Sequence, residues 1–319
     1  MCYNITMKTV NPFINSNDNK RYFTWNYYLK CKFNSKVFKV PLNAGFTCPN
    51  RDGSKGTGGC SFCSSKGSGD YCFDSNSLLH QYNEGILMMQ KKWDTNKTIP
   101  YFQSYTNTYG SLNKIKQCIE PFINKEEVVA IAIATRADCL SDECIEYLNS
   151  LTDKKEIWLE LGLQTIHDKT AIFLNRCHTY KEFINCINKL VKTNLKICVH
   201  IMNSLPYETS EMMIQTAKEV GSLPIHAVKI HMLHLINGSK LANDYIINPF
   251  HLLSIEEYVD IVIKQLEYIP SNIIIQRLTG DGVKEDLVAP LWTLNKTNVL
   301  NNIDKRMYLS NTYQGIKCK

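Results

Sequence analysis

From Val37 onward, short apolar runs rich in β-branched residues alternate with longer stretches of helical period, and this alternation constrains the fold more than any other feature. Strands are expected at 37–42, 98–104, 128–134, 156–163, 196–202 and 226–231, with a seventh apolar run at 272–277. Helices are expected near 78–92, 112–122, 141–151, 180–192, 209–221 and 255–268. Ser141 and Thr209 stand where a hydroxyl caps the first turn of a helix. The pattern predicts an α/β domain of parallel strands joined by crossover helices. Six strand–helix units fit either an open doubly wound sheet or most of a (β/α) barrel, and periodicity does not separate the two.

In either architecture ligands gather at the carboxyl ends of the strands, so the segments after each strand are where chemistry is expected. The first strand runs into N-A-G-F-T-C-P-N-R-D-G, the second into Tyr105 to Tyr109, the third into Thr135-Arg136-Ala137-Asp138, and the fifth into Asn203-Ser204-Leu205-Pro206. Residues 1–20 are polar and Asn-rich without sustained periodicity and read as a poorly ordered arm.

The bulk numbers narrow the class. The chain has 319 residues, 44% hydrophobic and 21% charged, which is globular composition. No basic leader with an apolar run and no stretch of about 18 apolar residues occurs, so a cytoplasmic protein without membrane contact is expected. Thirteen cysteines, an odd count in a large chain without a secretion signal, fit a reducing compartment better than a disulfide framework. Cys118, Cys144, Cys186 and Cys198 lie in apolar periodic segments and read as small core residues. The net charge of +6 allows a polyanionic partner without requiring one. Lysines 30, 32, 36 and 39 form one basic cluster and Lys305, Arg306, Lys317 and Lys319 another; an ordinary solvated surface is the plain alternative for both.

Cys48, Cys60 and Cys63 are different. They form C-x11-C-x2-C in a glycine-rich loop directly after the first strand, with Gly53, Gly56, Gly58 and Gly59 between them. Glycines let backbone wrap closely around an inorganic group, and thiolates are soft ligands suited to iron–sulfur clusters or zinc. A structural zinc site would take Cys72 as a fourth thiolate. Three ligands on four irons would instead leave one iron open to a further ligand.

The stretch K-V-F-K-V-P-L-N-A-G-F-T-C-P-N-R-D-G followed by G-G-C-S-F-C resembles the radical SAM (S-adenosylmethionine) superfamily, and more narrowly its bacterial YhcC/YtqA branch, related to the radical domain of the Elongator catalytic subunit. Further segments agree in order: G-S-G-D at 67–70, Y-F-Q-S-Y-T-N-T-Y at 101–109, A-T-R-A-D-C at 134–139, L-E-L-G-L-Q-T at 159–165, L-N-R-C-H at 174–178, V-K-I-H-M-L-H at 228–234, R-L-T-G-D at 277–281 and A-P-L-W-T-L-N-K at 289–296. The resemblance implies a partial (β/α)6 TIM-type barrel over residues 21–270, with a C-terminal extension at 271–319 packing on it. It implies a [4Fe-4S] cluster on Cys48, Cys60 and Cys63 and SAM bound at the open iron. The implied activity is reductive cleavage of SAM and hydrogen abstraction from a C–H bond.

On the same footing, Gln103 and Asn107 follow strand two, where the superfamily usually carries a Gly-Gly-Glu motif that this chain lacks; loop stabilisation is their alternative role. Arg136, Glu160, Gln164 and Arg176 are expected to contact SAM. Asp138 is read as a ligand contact or a helix cap, and Arg176 with His178 as a carboxylate or phosphate contact or a surface ion pair. Gln276 and Arg277 end the last apolar run, where adenine or substrate would bind. His200 and His231 read as satisfied core histidines, while His234 is balanced between core and site.

The Elongator relationship implies transfer RNA and its wobble uridine as substrate, the chemistry being remodelling of a carboxymethylaminomethyl group at C5 to aminomethyl. A separate methyltransferase would then act on the product, and a flavodoxin or ferredoxin would supply electrons. With 319 residues, an acetyltransferase domain like Elongator's is not expected. Basic stretches and the aromatics Tyr22, Trp25 and Tyr105 are expected to hold single-stranded bases. Two other readings stay open: radical chemistry on a small-molecule or porphyrin-like substrate, as in relatives of coproporphyrinogen oxidase, and a zinc-stapled nucleic-acid-binding module.

Overall fold

The computed structural model of the protein describes residues 11–65, 67, 69, 72, 77–280 and 282–318. Its strands are β1 (Phe38–Leu42), β2 (Thr98–Phe102), β3 (Ala130–Thr135), β4 (Glu156–Gln164), β5 (Lys196–Asn203), β6 (Ala227–Met232), β7 (Leu235–Ile236), β8 (Ile274–Arg277) and β9 (Leu287–Ala289). Its α-helices are α1 (Trp25–Phe33), α2 (Leu78–Gln90), α3 (Leu112–Ile123), α4 (Asp142–Ser150), α5 (Asp168–Phe173), α6 (Tyr180–Leu190), α7 (Ser210–Ser222), α8 (Lys240–Ile247), α9 (Ile255–Tyr268) and α10 (Lys296–Leu309).

Seven strands form one parallel sheet in the order β1-β2-β3-β4-β5-β6-β8. A doubly wound sheet reverses its order at a switch point. Here each strand lies beside its predecessor and the order never reverses, which resolves the choice left open by periodicity: the sheet curls into a partial TIM-type barrel. The seventh apolar run is a true sheet strand, with Ala227 and Val228 registered against Ile274 and Ile275. β7 and β9 pair separately and antiparallel.

The outer faces of the strands pack against the helices in one large core that includes Val40, Leu42, Phe102, Ile131, Ile133, Leu159 and Leu161. Ser141 and Thr209 cap α4 and α7 through the N–H groups of Cys144 and Met212, as expected. Cys118, Cys144, Cys186 and Cys198 are buried.

The inward faces form layers. The lowest is apolar: Ile99, Ala130, Trp158, Cys198, Ala227 and Ile274 close on Leu29, Trp25 and Tyr28 of α1. This helix, missed by periodicity, starts at Thr24, whose hydroxyl accepts from Tyr27 N at 3.1 Å, and seals one end of the barrel. The Trp25 ring stands edge-on to Trp158 at 4.8 Å. Phe23 and Thr24 run beside β8, where Ile275 N donates to Phe23 O at 2.7 Å.

Residues 11–20, read from sequence as part of a loose arm, are tied to the body: Phe13 is buried and Asn15 Nδ2 donates to Ser271 O at 2.9 Å. Residues 1–10 lie outside the described residues. Among the described residues no helix is long and apolar enough to cross a membrane.

Candidate active site

The loop after β1 is folded by its own backbone and by its neighbours. Arg51 N donates to Cys48 O at 2.8 Å and Gly59 N to Asn50 O at 2.8 Å, so the chain doubles back between the first and second cysteines. Ser61 N donates to Leu174 O at 2.9 Å, and Leu241 N to Ser61 O at 2.8 Å, which pins the second half between the turn after α5 and the start of α8. Cys63 N donates to Cys60 O at 2.9 Å, a tight turn that brings the last two thiols together. Gly67 has φ +54, and a Cβ there would meet the Tyr105 ring at 2.4 Å; only glycine lets these two segments approach. Tyr105 completes the contact, its hydroxyl donating to Ser65 O at 2.6 Å and its ring lying 5.4 Å from the Arg51 guanidinium.

All three cysteines are free thiols and line the same cavity of about 930 Å³, which runs from the loop into the barrel. The Cys60 thiol is held down to about 7, first by its hydrogen bond with Cys63, then by Arg136, Asn50 and Arg176, against the opposing effect of burial. Cys63 is correspondingly pushed up. Cationic and amide groups directed at a thiol are the surroundings that a thiolate ligand needs. The sulfur of Cys72 lies 3.5 Å from Ser104 Oγ.

Around the mouth, Arg136 follows β3 and lines the cavity. Asp138 accepts from its Nε and Nη2, each at 2.9 Å, and from Lys55 Nζ at 2.6 Å. These cations outweigh burial and bring the Asp138 carboxyl down to about 2. Asp138 is therefore a structural counter-ion; Ser141 caps the following helix. Gln103 and Gln164 line the cavity at the ends of β2 and β4. The Gln164 amide folds back over Gly162, whose added Cβ would lie 2.7 Å from Gln164 Nε2.

Two expected contacts do different work. Asn107 is buried away from the cavity, and its Nδ2 donates to the carbonyls of Phe102, Ser104 and Ala134 at 3.0, 3.1 and 3.0 Å; it organises the loop after β2. Arg176 borders the cavity, but its donors are spent on Leu163 O, Thr165 O, His178 O and Asp168 Oδ1. A guanidinium has five N–H groups, and these contacts use them. Burial lowers Arg176 to about 10. It fastens the end of β4 to the turn after α5.

Deeper, one layer above the apolar floor, Glu160 of β4 is fully buried. Its carboxylate accepts from Lys39 Nζ of β1, from Lys229 Nζ of β6, and from His200 Nε2 of β5 at 3.1 Å. The lysines overcome the cost of burial and hold Glu160 well below the usual carboxylate range. Burial, reinforced by Lys229, brings His200 down to about 4. Lys39, read from sequence as part of a surface basic cluster, thus points into the barrel, while Lys30, Lys32 and Lys36 are exposed. Lys39 also donates to Gln276 Oε1 at 2.9 Å, spanning the gap between β1 and β8. His200 is satisfied as expected; His231, 5.2 Å away, has a buried Nε2 without a partner and faces the same cavity.

The aromatics expected to stack on bases divide. Tyr22 is buried in the outer core, whereas Trp25, at the apolar end of the barrel, and Tyr105, at the mouth, both line the cavity. In the C-terminal basic cluster, Arg306 pairs with Asp260 and Lys317 with Glu267. Ser68, Asp70, Asp281 and Lys319 lie outside the described residues.

A curled parallel sheet with a three-cysteine loop at the mouth of its cavity is the architecture of radical SAM enzymes, and the chain belongs to that superfamily. Residues 53–220 match the radical SAM superfamily and residues 225–308 its C-terminal domain. The chain is 43% identical over 306 residues to YtqA of Bacillus subtilis, covering 96% of this chain and 95% of that one. It is 29% identical to YhcC of Escherichia coli K12 over 86% of this chain and 88% of that one. A tRNA uridine(34) acetyltransferase of Methanocaldococcus jannaschii is 26% identical over 60% of this chain, which spans 34% of that protein. Among solved structures, the archaeal Elp3 of Methanocaldococcus infernus superposes with a TM-score of 0.66 at 19% identity, over 87% of this chain and 64% of that one. The superfamily implies a [4Fe-4S] cluster and SAM as cofactors, and the protein is a radical SAM enzyme.

Proposed function

We propose that this enzyme modifies the wobble uridine of tRNA, converting a carboxymethylaminomethyl group at C5 to aminomethyl, with a [4Fe-4S] cluster on Cys48, Cys60 and Cys63. The observation that carries the cofactor assignment is that three free thiols of one glycine-rich loop share the mouth of a cavity leading into the barrel. The substrate assignment draws on the relationship to a protein named as a tRNA uridine(34) acetyltransferase.

When bound, the cluster and SAM supply one-electron cleavage of the sulfonium and a carbon radical that removes hydrogen from an unactivated C–H bond. The chain's own part is positioning and exclusion of water. Asn50 and Arg136 direct positive potential at the thiolates. Gln103, Arg136 and Gln164 line the cavity where SAM would bind, whereas Asn107 and Arg176 hold the loops that carry them. The apolar layer packed against α1 gives the barrel interior a hydrophobic floor. A cavity of this volume is at the upper end of small-molecule sites and has room for a nucleoside-sized cofactor together with a flipped base. A ferredoxin or flavodoxin would supply electrons and a separate methyltransferase would take the product.

Mass analysis of tRNA nucleosides from a strain lacking the protein tests this reading. Carboxymethylaminomethyluridine should accumulate at the expense of aminomethyl derivatives, with restoration by the wild-type gene and not by Cys60→Ser. An unchanged nucleoside profile removes the tRNA assignment.

A further inference from the structure

We infer that the layer around Glu160 is a carboxylate-binding subsite for the substrate, built from Lys39, Lys229, Gln276 and His231.

The first argument is charge. Two ammonium groups, Lys229 buried and Lys39 partly buried, share the single carboxylate of Glu160. The third partner, His200, is neutral at ordinary pH because burial and Lys229 bring it down to about 4. The lysine pair therefore carries one positive charge more than Glu160 answers, and Arg277, which lines the same cavity, adds to the positive field at Lys229 and His231, a costly arrangement unless something answers it.

The second argument is unused hydrogen-bonding capacity. Gln276 gives its carbonyl oxygen to Lys39 at 2.9 Å, and its Nε2 is buried without a partner. His231 Nε2 is likewise buried and unpartnered. Both side chains line the cavity beside the lysines. Each unsatisfied buried polar group costs roughly 1–3 kcal/mol, so two of them around a surplus cation mark a place where a ligand completes the bonding.

The third argument sets the ligand's charge and size. The positive field of the lysine pair and Arg277 around one carboxylate calls for an anion, and the buried nitrogens of Gln276 and His231 beside it suit the oxygens of a carboxylate. The walls are aromatic, with Tyr101 5.0 Å from Lys39 Nζ and 4.8 Å from Lys229 Nζ, and Trp25 5.0 Å from Lys39 Nζ, which suits a small planar group. The subsite lies on mid-strand residues below the cysteine loop, so the group it holds belongs to the molecule reaching down the barrel.

This deepens the proposed function and rests on it only for which molecule carries the carboxylate. A carboxymethylaminomethyl side chain ends in one, and the aminomethyl product is a cation that the same surplus charge repels. The subsite thus discriminates substrate from product.

Calorimetry on the reconstituted protein tests it, using carboxymethylaminomethyluridine against its carboxamide, and N-methylglycine against N-methylglycinamide as a fragment pair. The acid should bind at least tenfold more tightly than the amide. Lys39→Met should bring the ratio within about twofold and leave SAM affinity unchanged. Gln276→Leu leaves both lysine–Glu160 ion pairs in place and should lower the ratio severalfold, with an unchanged thermal-unfolding midpoint excluding a folding defect. Equal binding of acid and amide in both pairs overturns the inference, as does a ratio that survives both substitutions. It is equally overturned if Lys39→Met weakens SAM as much as the acid, because the layer then belongs to SAM. If the fragment pair shows the Lys39-dependent preference and the nucleoside pair does not, the subsite stands and the wobble-uridine reading falls.

Discussion

The side-chain amide of Asn50 donates to Cys60 Sγ at 3.4 Å and to the carbonyls of Asn175 and Arg176 at 2.6 and 3.1 Å, joining the cysteine loop to the turn after α5. One buried residue thus both supports a thiolate and fixes the loop that carries it. Asn50→Ala should destabilise the protein by about 2–3 kcal/mol, since two buried carbonyls lose a donor. Reconstituted Asn50→Ala should also release iron to a chelator several times faster than wild type. Denaturant unfolding and chelator kinetics read the two effects separately.

Arg176 looks from sequence like an anion contact, and in the fold it is a strut. Arg176→Met removes the donors for three carbonyls at one buried point and should cost more than about 3 kcal/mol. Arg176→Lys should not restore stability, because an ammonium cannot reproduce the planar fork. Thermal unfolding of both variants checks this; a stable Arg176→Met protein with selectively weakened SAM binding would return Arg176 to the ligand set.

Gly67 and Tyr105 form a steric pair across the cavity mouth. Gly67→Ala places a methyl group inside the Tyr105 ring, forcing that ring and its bond to Ser65 O aside. Iron content after reconstitution should drop markedly. Tyr105 itself has φ +60, so Tyr105→Gly is sterically permitted, and the double variant should recover part of the loss.

His178 gives a pH signature. In the folded protein burial, then Arg176 and Arg136, bring it down to about 3 against an ordinary value of 6.5. Between those values the unfolded chain takes up a proton that the native state refuses, so stability falls as pH falls from 6.5 toward 3. His178→Phe removes one such proton, and its stability should depend on pH less steeply by up to about 1.4 kcal/mol per pH unit in that window. Urea unfolding at several pH values measures the difference.

How much of this was legible in the sequence follows from what each residue answers to. The seven sheet strands are placed within a few residues because β-branched and other apolar residues dominate them even where Lys39, Glu160, His200 and Lys229 intervene, and α4 and α7 because Ser141 and Thr209 mark their starts. The curl of the sheet was not legible, since strand order is a property of packing rather than of period. α1 is not assigned from sequence because it is only nine residues long, so the helical spacing of Trp25, Tyr28 and Leu29 repeats for little more than one turn; these residues meet Trp158 only once the barrel closes. The cysteine loop was readable because its chemistry is local. The partners of Glu160 were not: Lys39 and Lys229 lie 121 and 69 residues away, and a lysine in a short strand reads as surface. Asn107 and Arg176 misled because a polar side chain that satisfies buried carbonyls has the same sequence signature as one that binds a ligand.

The account stands on three thiolates holding an iron–sulfur cluster. Iron, sulfide and zinc per chain, measured on anaerobically prepared wild type and on Cys48→Ser, Cys60→Ser and Cys63→Ser, test that claim most directly. The prediction is about four iron and four sulfide per wild-type chain, with loss in each variant. Stoichiometric zinc, or no iron and sulfide after anaerobic reconstitution, would contradict it.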